Sequence, residues 1–434
     1  QIFLNFLKLI SYTMNFVFMK KLFELRKKNL SKLYKNIFET EYFENPKNKP
    51  KLLIFSGNPT QYHAPLFRKI NEVLNGQVFV MFGGSEGIRP FYSHETKAII
   101  KWDVPTVGGY PYKVYKSFAK DNWRNFFRWN NPGMIFTAFF SPASYVLIHG
   151  YNTVSSFYVY FAALFSGKKI IFRGETVARK DRKKTFISLL KKIILPIYFL
   201  GIHRVLWSCK DNYDSLKQYL IGSKEKLISF PCAVDNDFFR SRRLNLIEQK
   251  QIRREFKIDD DQMVIVTCSR LTKRKRTYLL LDAVKKVGSE KITILIIGDG
   301  PERPFLEAQA KKLKIDVRTL GFVGQKKVAQ LLAISDVFVL LSSYDASPKA
   351  LNEAMNFPLA IIASDGIGTS RDLVLDGKNG YIFRDEDTNH LAKNIAFLLN
   401  NPESRKDMGL RNDQIISEYS LEKDVNNLRK IMND

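Results

Sequence analysis

The stretch DVFVLLSSYDASPKALNEAMNFPLAIIA, residues 336–363, holds one complete unit of an α/β fold. Its ends, Asp336–Leu341 and Leu359–Ala363, are short, near-continuous apolar runs, the pattern of strands covered on both faces by helices. Between them Ser347 is a good N-cap and Pro348 a good first helical residue, so the segment reads strand, helix, strand. The backbone N–H groups near Lys349 and Ala350 would then leave a helix N-terminus, where an anionic phosphate is stabilised. Asp345 precedes this helix and Glu353 lies in its second turn. At about 1.5 Å per helical residue the two acids stand on the order of 10 Å apart, a span that matches a diphosphate with a sugar at one end and a ribose at the other. Both acids could equally do no more than complement the helix dipole.

The same alternation extends in both directions. Toward the N-terminus of this half, apolar runs at Met263–Cys268, Ile292–Ile297 and Val317–Leu320 predict further strands, the last least clearly because Arg318 and Thr319 interrupt it. An earlier series, Leu52–Ser56, Gln77–Phe82, Tyr145–His149, Lys169–Arg173 and Arg204–Ser208, predicts a second, mainly parallel sheet. The charged segment Arg240–Gln262 separates the two. The fold class is therefore α/β, two Rossmann-like doubly wound domains facing across a cleft, with ligands expected at the carboxyl ends of the strands. The expected division is a basic N-terminal extension over 1–50, a first Rossmann-like domain over 51–239, a second over 240–415, and a C-terminal helix over 416–434 with the option of returning to the N-terminal domain.

The chain has 69 Lys and Arg against 43 Asp and Glu, a formal charge of +26, and such a balance seeks a polyanion: nucleic acid, an anionic leaflet or phosphorylated small molecules. No zinc-finger, RRM-like or helix-turn-helix pattern accompanies the charge, so nucleic acid is not an expected partner. Cys209, Cys232 and Cys268 lie far apart, as do the five histidines, which predicts no disulfide framework and no metal site. From Met14 to about Phe38 apolar residues recur at helical spacing among Lys and Arg, either a helix lying on anionic lipid or a packed helix with a solvated basic face. The run Ile193–Ile202 is too short to span a bilayer and is broken by Pro196 and Gly201, which predicts a buried or interfacial helix leading into a strand.

Basic residues after the Met263–Cys268 strand, in Cys268-Ser-Arg-Leu-Thr-Lys-Arg-Lys-Arg276, cannot be buried unpaired, and a βα loop there either aims Arg270 and Lys275 into the cleft, where they could neutralise a departing diphosphate, or is simply a solvated basic loop. Ile297-Gly-Asp-Gly-Pro-Glu302 is a glycine turn into a helix, and Gly298 could approach a ligand or serve the turn alone. With "FPCAVDNDFF" (230–239), "CSRLTKRKR" (268–276), "IIGDGPE" (296–302), "LGFVGQ" (320–325), "DASPKALNEAM" (345–355) and "SDGIGTSRDLVLDGKNGYIF" (364–383) in order and spacing, the chain resembles glycosyltransferase family 4, the retaining enzymes of the GT-B fold.

That resemblance implies a nucleotide-sugar donor as co-substrate, with no other cofactor and no metal. It implies that Arg270 and Lys275 hold the donor diphosphate and that the acids of an E-x7-E motif contact sugar and ribose. Glu353 matches the ribose acid, and Asp345 stands where the family usually has Glu. Gly298, Ser347, Lys349 and Ala350 complete the implied donor site. The first half resembles bacterial polysaccharide and lipopolysaccharide transferases more loosely, through "SGNPTQYHAPLFRKI" (56–70), "WDVPTVGGYPY" (102–112) and "IIFRGET" (170–176). Where many members carry a cleft His, this chain has Arg173-Gly-Glu175, so Arg173 and Glu175 are acceptor-cleft candidates; Tyr62 and His63, after the first strand, are similar candidates, and a lone His such as His63 is also readable as structural. The expected protein is a cytoplasmic, peripheral membrane transferase acting on a lipid-linked or saccharide acceptor on the inner face of the cell membrane. The basic run Arg179–Lys184 and the N-terminal helix are its expected lipid contacts. The rival readings are a catalytically silent relative serving as a membrane or nucleic-acid binding module, and a sugar-nucleotide epimerase of related fold.

Overall fold

A computed structural model describes residues 43–119, 126–177, 186–222, 224–384 and 386–433. The expected basic helix from Met14 to Phe38 and the run Arg179–Lys184 lie outside the described residues. The chain divides into two compact units, one of the described residues up to Pro59 with Leu74–Ser85 and Gly108–Phe172, the other of Thr60–Val73, Glu86–Val107 and Arg173–Asp434.

The strands described in the first half are β1 (Phe43–Glu44), β2 (Leu52–Ser56), β3 (Val78–Phe82), β4 (Phe91–Ser93), β5 (Ala98–Ile100), β6 (Tyr112–Val114), β7 (Tyr145–His149), β8 (Lys169–Arg173), β9 (Arg204–Trp207) and β10 (Leu227–Ser229). In the first unit they run in the order β1-β6-β3-β2-β7-β8, and β6, β3, β2 and β7 pair in parallel. Every residue of β2 is buried, as its unbroken apolar sequence requires of a central parallel strand. The short β1 and β6 escape a sequence reading because two or three residues carry no periodicity.

The second unit contains the hairpin β4–β5, the parallel pair β9–β10 and a six-stranded parallel sheet: β11 (Met263–Cys268), β12 (Ile292–Ile297), β13 (Asp316–Gly321), β14 (Val337–Leu340), β15 (Ala360–Ser364) and β16 (Gly380–Phe383). Its order is β13-β12-β11-β14-β15-β16. Alternate residues of the central strands β11, β12 and β14 enter opposite cores: Val264, Val266, Leu295, Phe338 and Leu340 join one, and Met263, Ile265, Ile294, Val337 and Val339 the other. Both faces are dry, which is why these strands read as unbroken apolar runs rather than as alternating ones.

The direction of winding reverses between β11 and β14. At such a switch point the loops leaving the carboxyl ends of two neighbouring strands diverge and open a crevice. The segments singled out in the sequence, 268–276 and 343–355, are the loops that leave those two strands.

The helix Phe186–Leu200 contains Pro196 and leads into β9, and no helix among the described residues is long and apolar enough to cross a membrane. Leu195, Tyr198 and Phe199 are buried on one side of it, while Ile193, Ile194, Ile197 and Leu200 are between 43% and 60% exposed on the other. The helix Leu421–Asn433 packs on the helix His63–Val73, and Asn427 donates to the Ser229 carbonyl at 2.9 Å.

Candidate functional site

Three sets of side chains meet around the β11–β14 switch point, all within the second unit. The first is cationic. Lys275 ends a short 3-10 turn, Lys273–Lys275, and Arg276 takes a left-handed conformation (φ 49°) that redirects the chain into the helix Tyr278–Val287. The turn buries Lys275, whose Nζ lies 2.5 Å from Asp345 Oδ2. Burial lowers the Lys275 pKa and Asp345 opposes that shift. Arg274 reaches Asp345 and Glu95 at 3.9 Å each, and Arg270 is paired with Glu95. Arg270 remains about half exposed. Gly298 (φ 126°) lies against this loop, where an added Cβ would overlap the Ser269 carbonyl.

The second set lies along the segment after β14. Asp345 is not helical: its N–H donates to the Gly366 carbonyl at 3.0 Å and its carbonyl accepts from Gly368 at 2.8 Å. The helix runs only from Lys349 to Ala354, with Pro348 as its N-cap. This corrects the expectation that Ser347 caps a helix beginning at Pro348. Ser347, preceding proline, is disfavoured from helical backbone, Pro348 itself has an extended ψ of 119°, and the hydroxyl is one residue too early to reach the first-turn amides. Ser347 Oγ is buried with no hydrogen-bond partner among the described residues, while the N–H groups of Lys349 and Ala350 have no intrahelical acceptor. Helical rise therefore governs only the Glu353 end of the Asp345–Glu353 interval.

Glu353 is 6% exposed. Burial lifts its carboxyl to about 7; Gln325, whose Nε2 donates to Oε1 at 3.4 Å, and Lys349 pull the other way. Such an acid is half neutral near neutral pH and regains charge when hydroxyl donors arrive.

The third set comes from the first half of the sequence. Arg173, at the end of β8, is buried over the Phe230 ring (4.9 Å), with Nη2 3.6 Å from Cys232 Sγ. Its Nε and Nη1 have no hydrogen-bond partner among the described residues. Cys232 donates to Glu175 Oε1 at 2.9 Å, and Lys349 Nζ lies 3.5 Å from the same oxygen. Burial would raise the Glu175 carboxyl, but Lys349 and Arg173 outweigh it and hold it at about 2. Burial resists the charge on Lys349, yet Cys232 and Glu175 raise its pKa above the usual lysine value. His63 stacks on Phe67 (5.6 Å), and burial, helped by Arg173, drives its pKa down to about 3, so it is neutral. Tyr62 packs edge-on against Trp102 at 6.3 Å, and burial raises its phenol, with Arg270 and Glu353 both within its field.

The structure thus gathers Tyr62, His63, Arg173, Glu175, Lys349 and Glu353 into one group and Arg270, Lys275 and Asp345 into an adjoining one. Sequence reasoning missed Glu95, Asp103, Cys232, Gln325 and Asp424. Asp103, Cys232 and Gln325 lie inside motifs already quoted, but nothing in the motifs says which side chains they meet. Asp424, on the last helix, is fully buried, and burial pushes its carboxyl well above the ordinary range although Arg173 and Lys349 oppose this. Asp103, Gln325 and Tyr62 also line a cavity of about 270 Å³. Among the described residues no three His, Cys, Asp or Glu side chains converge as metal ligands.

Residues 248–414 match the family described as glycosyl transferases group 1. The chain is 29% identical over 189 residues, 43% of its length and 49% of the relative's, to N-acetyl-alpha-D-glucosaminyl L-malate synthase of Bacillus anthracis. It is 31% identical over 211 residues, 48% of its length and 52% of the relative's, to alpha-monoglucosyldiacylglycerol synthase of Acholeplasma laidlawii. The matches thus span about half the length of these relatives. Among solved structures, Anabaena HepE in complex with UDP and glucose superposes with a TM-score of 0.66 at 15% identity, covering 88% of this chain and 99% of that one, which establishes the GT-B fold.

Proposed function

We propose that the protein, whose residues 248–414 match the glycosyl transferases group 1 family, transfers a sugar, with retention of anomeric configuration, from a nucleotide-diphosphate sugar to a lipid-linked or saccharide acceptor. The observation that carries this reading is the cation cluster at the switch point. Among the described residues Arg270, Arg274 and Lys275 converge there on two carboxylates, Glu95 and Asp345. A diphosphate adds the charge this cluster lacks.

In this reading Arg270 and Lys275 stabilise the leaving diphosphate, with the amides of Lys349 and Ala350 beside them, and Gly298 allows close approach. Asp345 faces the sugar and Glu353 accepts from the ribose hydroxyls. Tyr62, His63, Arg173 and Glu175 border the acceptor. Glu175, held ionised at about 2, is a hydrogen-bond acceptor and a poor proton shuttle near neutrality. The departing phosphate oxygen is then the base that takes the acceptor proton. Charge stabilisation comes from fixed cations, so transfer is expected to persist in chelator. Activity lost with EDTA and restored by Mn²⁺ would overturn the metal-free mechanism.

UDP bound by the structural neighbour HepE makes a uridine nucleotide the first donor to test. Unfolding temperatures with UDP, GDP and ADP separate the bases, since a ligand at 100 times its Kd stabilises the native state by about 2.7 kcal/mol. No shift with any nucleotide, in a protein that instead binds nucleic acid or lipid, would favour a binding module.

The curated relative alpha-monoglucosyldiacylglycerol synthase supports a lipid-linked acceptor, and the exposed ridge Ile193, Ile194, Ile197 and Leu200 supports attachment to the inner face of an anionic membrane. Lys191 and Lys192 precede that ridge, placing charge beside apolar surface as interfacial helices do. Replacing Ile193 and Ile197 by glutamate is expected to weaken binding to anionic vesicles about 10- to 100-fold while UDP binding persists. Vesicle binding equal to that of the parent protein would detach this helix from the membrane.

A further inference from the structure

The helix Gln325–Ala333 begins without a capping side chain of its own. Its N-cap is Gly324, and the amides of Gln325 and Lys326 donate to the Asp103 carboxylate at 2.8 and 3.0 Å. Asp103 comes from 222 residues earlier in the chain, in the segment Glu86–Val107 that belongs to the second unit. A Cβ on residue 324 would overlap that carboxylate, so only glycine admits it. Trp102, beside Asp103, meets Phe322 at 5.7 Å and Tyr62 at 6.3 Å, which fixes the approach of the segment. Capping by the helix's own Ser, Thr or Asp is the ordinary solution. Here the cap is supplied from outside, and the first residue it holds is Gln325, whose buried amide contacts Glu353.

We propose that Asp103 is a positioning residue of the donor site, fixing the start of the helix Gln325–Ala333 so that the Gln325 amide stays against Glu353 and favours the hydroxyl-accepting, ionised form of that acid. The inference rests on Glu353 being the nucleoside contact. The groups facing Glu353 are Gln325, Lys349 on its own helix, Tyr62 from the loop before the helix His63–Val73, and Cys268 at the end of β11. Tyr62 and Cys268 are raised above their ordinary values and stay neutral, and Lys349 is raised and stays charged. Between pH 5.5 and 9, Glu353 is therefore the member of this group that titrates.

The test measures UDP affinity from pH 5.5 to 9 and, without ligand, the Glu353 carboxyl ¹³C shift over the same range. The parent protein is expected to titrate near 7, with binding tightening as pH rises. Loss of a hydrogen bond to the charged form should move that midpoint up by about one unit in Gln325→Leu and in Asp103→Ala. Asp103→Asn, which keeps an oxygen for the helix amides, should titrate like the parent, and affinities should converge at pH 9. A ligand-free midpoint unchanged in Asp103→Ala, or binding weakened equally at every pH, overturns the inference and leaves Asp103 a structural cap. Indifference of UDP binding to Glu353→Ala, with the ¹³C midpoint still moved by Asp103→Ala, overturns the donor reading while the coupling of Asp103 to Glu353 stands.

Discussion

Lys275→Met is expected to lower kcat/KM for sugar transfer about 100- to 1,000-fold, the scale of removing one charge-stabilising group from an acyl- or phosphoryl-type leaving site. Methionine keeps most of the apolar stem, so packing changes little. What disappears is the ammonium 2.5 Å from Asp345. Removing one partner of a buried pair costs about 3–5 kcal/mol. Asp345 keeps some solvent exposure and Arg274 at 3.9 Å, so we expect a loss of about 2 kcal/mol, near the cost of one charged hydrogen bond. The double variant Lys275→Met, Asp345→Asn separates the two effects. It should recover most of the stability and none of the activity. Recovery of both would mean that Lys275 serves only to neutralise Asp345. Arg270→Ala should cost less stability, because Arg270 is half exposed, yet weaken UDP binding about 10- to 100-fold.

Glu353→Gln should make the ligand-free protein more stable and less competent at pH 8. The folded carboxyl sits at about 7, above its ordinary 4.5, so between those values the native state holds a proton that the unfolded chain has released. The sign follows: stability from this group is fully present below about pH 4.5, falls as pH rises, and is gone above about 7. The whole swing is about 3 kcal/mol. Glutamine fixes the neutral shape, so the variant's advantage over the parent should approach that size at pH 8 and shrink toward nothing near pH 5. Nucleotide affinity moves the opposite way. An amide cannot accept two ribose hydroxyls with charge assistance, and UDP binding at pH 8 should weaken about 10- to 100-fold. Denaturant melts at pH 5 and pH 8 read the first effect and calorimetric titration the second. Equal destabilisation at both pH values would contradict the placement of Glu353 as a strained, buried acid.

The two predictions divide along the line between local and tertiary information. Met263–Cys268, Ile292–Ile297 and the strands bounding residues 336–363 were legible because a parallel strand buried on both faces must be apolar throughout, and that demand falls on consecutive residues. The loops leaving β11 and β14 were legible for the same reason: cations after one strand and acids around a proline after the next are written locally. Ser347 was misread because capping depends on a single residue of offset that proline controls. Glu95 and Asp103 were invisible as site residues, since their partners Arg270 and Gln325 lie 175 and 222 positions away and no period links them. Sequence alone fixed the α/β class, the parallel strands and the chemical types available at their ends, because backbone and burial constrain neighbours. Tertiary structure decided which acid faces which cation, and it left Glu353 near neutrality while holding Glu175 at about 2. Those two carboxylates have the same chemistry in the chain, and only burial and the cations around each set them apart.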